Sequence, residues 1–202
     1  MKGSLIAWDP VAREPRWTVE HGTAWNGGIL STAGGLVFQA KLNGDFSAYD
    51  AATGEKLWEQ NVKAGAYAAP TTYMIDGEQY VTIATGWGTS FILAGGGVLL
   101  EEPLAPMLGK VVTYKLDGTG ELPDIDWPEL DKTPKGEAFG DEALVMEGAI
   151  HYARNCIHCH GAFTVSSGIV PDLRWSSITG NAEAWKGVVL DGNFAMNGMG
   201  SF

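Results

Sequence analysis

Ala48-Tyr49-Asp50-Ala51-Ala52-Thr53-Gly54-Glu55-Lys56-Leu57-Trp58 is the stretch on which the fold turns, because the chain carries its pattern twice. The earlier copy is Ala7-Trp8-Asp9-Pro10, closing on Trp17. One offset of 41 positions relates the alanine, the aromatic, the aspartate and the closing tryptophan alike. A fixed period in that range marks one supersecondary unit repeated along the chain, each copy needing its neighbours to bury its faces. A third, decayed copy is expected at Thr113-Tyr114-Lys115-Leu116-Asp117-Gly118, displaced by an insertion around Gly95 to Gly109.

Between the copies the pattern is β. Leu36-Val37-Phe38-Gln39-Ala40, a turn at Asn43-Gly44 and Phe46-Ser47-Ala48-Tyr49 predict one hairpin. Thr71 to Ile75, the turn Asp76-Gly77 and Gln79 to Ala84 predict another. About four strands per repeat of this length is the mark of a β-propeller blade. The glycine-histidine and tryptophan-aspartate signatures of the WD40 class are absent, so another propeller family is expected. Residues 1–120 hold too few blades to close a ring, which reads as part of a longer chain. Residues 121–139, with Pro123, Pro128 and Pro134 among acidic residues and no periodicity, read as a linker.

The remaining segment, 140–202, is dominated by Cys156-Ile157-His158-Cys159-His160. C-x-x-C-H is the attachment pattern of a c-type haem: two thiols on one helical turn bond the porphyrin vinyl groups, and the following imidazole ligates the iron. A zinc half-site and a thioredoxin-like pair compete. Zinc needs a second ligand pair, which His21 and His151 do not supply, and the redox pair needs a βαβ context that the flanks lack. Asp141-Glu142 marks a helix start, and Leu144, Gly148 and Tyr152 form a stripe leading to the cysteines. Gly148 is expected where another helix crosses. The sixth iron ligand is expected to be Met199 rather than Met196, because glycines on both sides free its backbone to press on a porphyrin edge. A Pro171 carbonyl is expected to accept the spare His160 N–H. Arg174 would either pair with a haem propionate or stand in solvent.

Composition narrows the partners. The 202 residues carry 28 glycines, suited to dense turns, and a net charge of −11, which argues against nucleic acid or an anionic membrane surface. No apolar run reaches the roughly 18 residues that span a bilayer. The segment after Met1 is not a signal peptide, yet c-type haem is attached outside the cytoplasm, so Met1 is expected not to be the biological start.

Taken together, the tryptophan-marked propeller repeat and the haem motif resemble the C-terminal part of the PQQ-dependent quinohaemoprotein alcohol dehydrogenases. Ala48, Gly54 and Trp58 match that family's tryptophan-docking repeat, in which the indole stacks between its own alanine and the next blade's backbone. Arg13 stands where Gly54 sits, which implies an altered turn in the first copy. Ala24-Trp25-Asn26-Gly27-Gly28 and Gly86-Trp87-Gly88 resemble segments that reach the cofactor, implying that Trp25, Asn26, Trp87 and Gly88 contact pyrroloquinoline quinone (PQQ). Gly198-Met199-Gly200-Ser201-Phe202 resembles the segment carrying the axial methionine.

The resemblance implies an all-β partial eight-bladed propeller followed by a small all-α class I cytochrome c domain, truncated before its closing helix. It further implies a periplasmic enzyme that oxidises primary alcohols with PQQ. Electrons would pass to a haem c held by Cys156, Cys159, His160 and Met199, and then to an acceptor such as a soluble cytochrome, an azurin-like copper protein or a quinone-linked subunit. The family's catalytic aspartate, Ca2+ ligands and most PQQ contacts would lie outside this chain, leaving the fragment alone inactive. A non-enzymatic cytochrome with a propeller docking scaffold is the alternative.

Overall fold

The computed structural model describes residues 2–86, 108–124, 133, 136–137, 140–166 and 170–202. The described residues up to Asp124 form one compact unit, and those from Thr133 onward form a second.

The first unit is antiparallel sheet. β1 (Gly3–Asp9) pairs with β2 (Glu14–His21). β3 (Asn26–Ser31), β4 (Leu36–Lys41), β5 (Asp45–Asp50) and β6 (Lys56–Asn61) follow as a four-stranded sheet in chain order. β7 (Thr71–Ile75), β8 (Glu78–Ala84) and β9 (Val111–Lys115) form a three-stranded sheet. Both predicted hairpins are present, and their turns use left-handed residues: Gly44 at φ +92° in one, Asp76 at +51° and Gly77 at +81° in the other.

The two repeat copies agree down to their irregularities. Ala7 lies opposite Trp17 and Ala48 opposite Trp58, and each ladder slips by one residue at the aromatic that follows the alanine. In the turns, Asp9 Oδ1 accepts the Val11 and Ala12 N–H groups, and Asp50 Oδ1 accepts those of Ala52 and Thr53. Arg13 does not alter its turn. It takes φ +58°, close to Gly54 at +76°, and each residue's N–H reaches its aspartate's carbonyl, at 2.8 Å and 2.9 Å. The third copy differs: Lys115 replaces the aspartate, and the turn closes through Gly118 N–H on the Lys115 carbonyl with Asp117 left-handed at +57°.

Alternation along the middle sheet distributes the core between its neighbours. Phe38, Ala40 and Phe46 join Val81, Ile83 and Val112 of the third sheet, while Val37 and Tyr49 join Leu5, Trp17 and Val19 of the first. Odd and even residues therefore face opposite sheets, as the strand period of two requires. The Trp17 indole donates to the Ala51 carbonyl at 3.0 Å, and a Cβ on Gly54 would stand 2.7 Å from its ring. Trp58 instead meets Tyr114 edge-on, with ring centres 5.3 Å apart. Leu122 packs on the same core and Lys63 grips both its carbonyl and Asp124, so this stretch is anchored to the sheets.

The second unit is helical. α1 (Glu142–Asn155) is capped by the Asp141 carboxylate, which accepts the Leu144 N–H at 2.9 Å. α2 (Ile157–His160) follows at once, and α3 (Ala182–Val189) is capped by Asn181. Short 3-10 turns stand at Ala162–Thr164, Leu173–Trp175 and Ala195–Asn197. The helix crossing expected at Gly148 is not seen, since no described atom comes within 4 Å of a Cβ placed there.

Candidate cofactor sites

At one end of the first unit three sheets meet: Gly3 lies opposite His21, Asn26 opposite Lys41, and Ala84 opposite Val111. The segment 65–69 ties this end together. Tyr67 O accepts the Gly28 N–H at 3.3 Å, Gly65 O accepts the Gly86 N–H at 2.7 Å, and Ala66 bridges to Gly86. Both stretches singled out by resemblance, Trp25 to Gly28 and the approach to Trp87, thus converge on one segment. Trp87 and Gly88 themselves lie outside the described residues. Glycine is required here by contact: a Cβ would come within 2.8 Å of Ala40 O at Gly27, 2.6 Å of Ala69 at Gly28 and 2.5 Å of Thr23 O at Gly3.

Asn26 is held by Thr23, which is fully buried. The Thr23 hydroxyl donates to Asn26 Oδ1 at 2.6 Å, and Asn26 Nδ2 donates to the Thr23 carbonyl at 2.9 Å. A carbonyl only accepts, so the amide orientation is determined. One layer deeper, Gln39 Nε2 donates to Gly27 O at 3.0 Å, and its Oε1 lies 2.9 Å from His21 Nε2. Thr23, Gln39 and His21 were not singled out from the sequence; polar residues within or beside predicted strands are the one signal that could have found them. At the same end Lys110, whose N–H bonds Thr85 Oγ1 at 2.9 Å, buries its ammonium without a hydrogen-bond partner among the described residues. Close-packed glycine backbone, an oriented amide and a buried ammonium with no partner among the described residues fit a flat anionic group such as PQQ.

In the second unit, one helical turn gathers the other motif. The Cys159 and His160 N–H groups bond the Cys156 carbonyl at 3.1 Å and 2.9 Å. Both thiols are free, Cys156 half-buried and Cys159 exposed, and burial pushes the Cys156 thiol up, with Cys159 adding to the effect. His160 is buried, and its Nδ1 stands 3.0 Å from the Pro171 carbonyl, as expected. Because that carbonyl can only accept, Nδ1 carries the proton and Nε2 keeps its lone pair for a metal. The Tyr152 hydroxyl donates to Gly161 O at 2.6 Å, tying α1 to the residue after the imidazole.

Arg174 is exposed, as one of its two expected roles has it, and is also paired within its own segment. Its Nε and Nη2 donate to Asp172 at 2.9 Å and 2.7 Å, and its guanidinium lies over Trp175 at 5.1 Å. Burial works against ionised Asp172, yet the Arg174 hydrogen bonds and charge hold its carboxyl below the usual range. Met199 is half-buried, while Met196 is 99% exposed. Paired thiols, an imidazole of defined tautomer and a methionine thioether are donor types that fit a covalent haem.

Residues 5–81 match the family described as "PQQ: Glucose/ethanol/alcohol dehydrogenase, beta-propeller domain". This part of the chain is a portion of a PQQ-type β-propeller. Among its relatives are quinohaemoprotein alcohol dehydrogenases. That named ADH-IIG, from Pseudomonas putida, is 49% identical over 173 residues, which make up 85% of this chain and 24% of the relative. The solved structure of the Pseudomonas putida HK5 enzyme superposes with a TM-score of 0.86 at 44% identity, covering 100% of this chain and 29% of that one. The Comamonas testosteroni quinohaemoprotein alcohol dehydrogenase gives 0.79 at 39% identity, covering 100% and 28%. The chain therefore spans less than a third of the length of these relatives.

Proposed function

We propose that this chain is the part of a periplasmic, PQQ-dependent quinohaemoprotein alcohol dehydrogenase that holds one edge of the quinone and all of a c-type haem. The observation that carries the reading is the Cys156-x-x-Cys159-His160 turn, with a buried imidazole whose Nδ1 is committed to Pro171 O. Cys156 and Cys159 would supply the thioether sulfurs, with His160 Nε2 and Met199 as axial ligands. At the propeller end Asn26, clamped by Thr23, offers its remaining amide N–H as a donor, Trp25 offers a ring face, and Trp87 and Gly88 would complete that edge. The glycines at 27 and 28 let backbone lie against a flat ring. When bound, PQQ supplies the two-electron oxidation of a primary alcohol, and haem supplies a one-electron outlet.

The base and the Ca2+ ligands would come from parts of the enzyme outside this chain. An acceptor such as a soluble cytochrome, an azurin-like copper protein or a quinone-linked subunit would take the electrons.

The test is a pyridine haemochrome spectrum of the exported protein after denaturation. Haem that stays with the polypeptide, and is lost when Cys156 and Cys159 are both replaced by Ala, is expected. A protein without chromophore that holds zinc at these residues would overturn the reading.

A further inference from the structure

Asp172 is saturated. Its side chain, 16% exposed, accepts the Ser166 N–H at 3.2 Å, the Arg174 N–H at 3.1 Å, and Arg174 Nε and Nη2 at 2.9 Å and 2.7 Å. Ser166 in turn donates its hydroxyl to Val170 O at 2.6 Å. The segment carrying Pro171 is thus held on both sides of the one carbonyl that meets His160. The strong hydrogen bonds of this carboxylate are spent on local backbone and on the fork of Arg174.

We propose that the Asp172–Arg174 pair is a positioning device for the axial histidine, fixing the Pro171 carbonyl on His160 Nδ1 and so setting the midpoint potential of the haem. The inference rests on the haem reading above and deepens it. A carbonyl held firmly on Nδ1–H makes the imidazole a stronger donor to iron and favours the ferric state. Loosening the carbonyl withdraws that support and raises the potential. The alternative, in which Asp172 and Arg174 act only as charges near the iron or its propionates, predicts opposite signs for the two residues. Removing a negative charge would raise the potential, and removing a positive charge would lower it.

The experiment is a spectroelectrochemical titration of the haem in the complete holoenzyme, with Asp172→Asn, Arg174→Met and Arg174→Lys. Haemochrome yield reports whether each variant still carries haem. Arg174→Lys keeps the charge and loses the planar two-pronged fork, so it separates geometry from charge. The expected result is an upward shift in all three variants, accompanied by faster solvent exchange of the His160 Nδ1 proton. A downward shift in Arg174→Met with Arg174→Lys at the wild-type value would overturn the inference in favour of bare charge. Unchanged potentials in Asp172→Asn and Arg174→Met would overturn it as well. A wild-type enzyme with no haem would overturn the underlying reading, and this inference with it.

Discussion

At the scale of single residues, the turn holding Arg13 and Gly54 shows how a weak preference is overruled. A left-handed backbone costs an ordinary side chain about 1–2 kcal/mol. From the sequence alone, arginine at the glycine position implied a changed turn. The aspartate preceding each turn, whose carboxylate collects two N–H groups, imposes the same shape on both copies. Arg13→Gly is therefore expected to raise stability by up to about 1 kcal/mol, part of the relieved strain being offset by unfolded-chain entropy. Gly54→Ala is expected to lower it by about 2–4 kcal/mol, since strain and overpacking combine where a Cβ meets Trp17. Urea midpoints of the two variants should move in opposite directions. The same turns carry a pH signature. The Thr53 and Ala52 N–H groups, then the Thr53 hydroxyl, hold the Asp50 carboxyl below its ordinary 3.8; the Ala12 and Val11 N–H groups do the same for Asp9. A depressed carboxyl stabilises the fold above its unfolded value and loses that contribution as pH falls through the folded value. Asp50→Asn should thus show a flatter decline of the urea midpoint than wild type between about pH 5 and 2.

At the scale of elements, the hairpins were legible because asparagine-glycine and aspartate-glycine turns and a period of two are local signals. The burial of β5 on both faces was not, because it depends on sheets that are distant in sequence. Phe46, fully buried in β5, meets Phe38, Trp58 and Tyr114 with ring centres 5.8, 5.8 and 5.6 Å away. Within this cluster the Tyr114 hydroxyl is buried without a hydrogen-bond partner among the described residues, and burial pushes its pKa up to about 12. An unpaired buried hydroxyl is a liability that phenylalanine removes while keeping the ring contacts. Tyr114→Phe is expected to raise stability by about 1 kcal/mol in a urea titration. A loss of similar size would mean that the hydroxyl finds a partner in the complete protein. In the helical unit Asp141 was readable as a cap, but the helix expected across Gly148 has no counterpart among the described residues. A glycine in a helix signals close packing only when something packs there.

At the scale of the whole molecule, the two halves were unequally legible for a physical reason. The proposed haem donors lie within five consecutive residues plus one methionine, so covalent chemistry is written locally. The proposed quinone edge draws on Thr23, Asn26, Gly28, Tyr67 and Gly86, which are spread along the sequence, and only the fold brings them together. The sixth ligand is the point where local and tertiary information meet. Flanking glycines favour Met199 over Met196; in the structure Met196 is 99% exposed and Met199 half-buried, its N–H turned back to Phe194 O at 3.3 Å after Gly198 at φ +90°. Methionine ligation raises a haem potential relative to weaker or harder donors. Met199→Ala should therefore abolish the sulfur-to-iron charge-transfer band and lower the midpoint potential, while Met196→Ala leaves both unchanged. If Met196→Ala alone removes the band, the ligand is Met196, and the loop must rearrange by the length of a side chain when haem is attached.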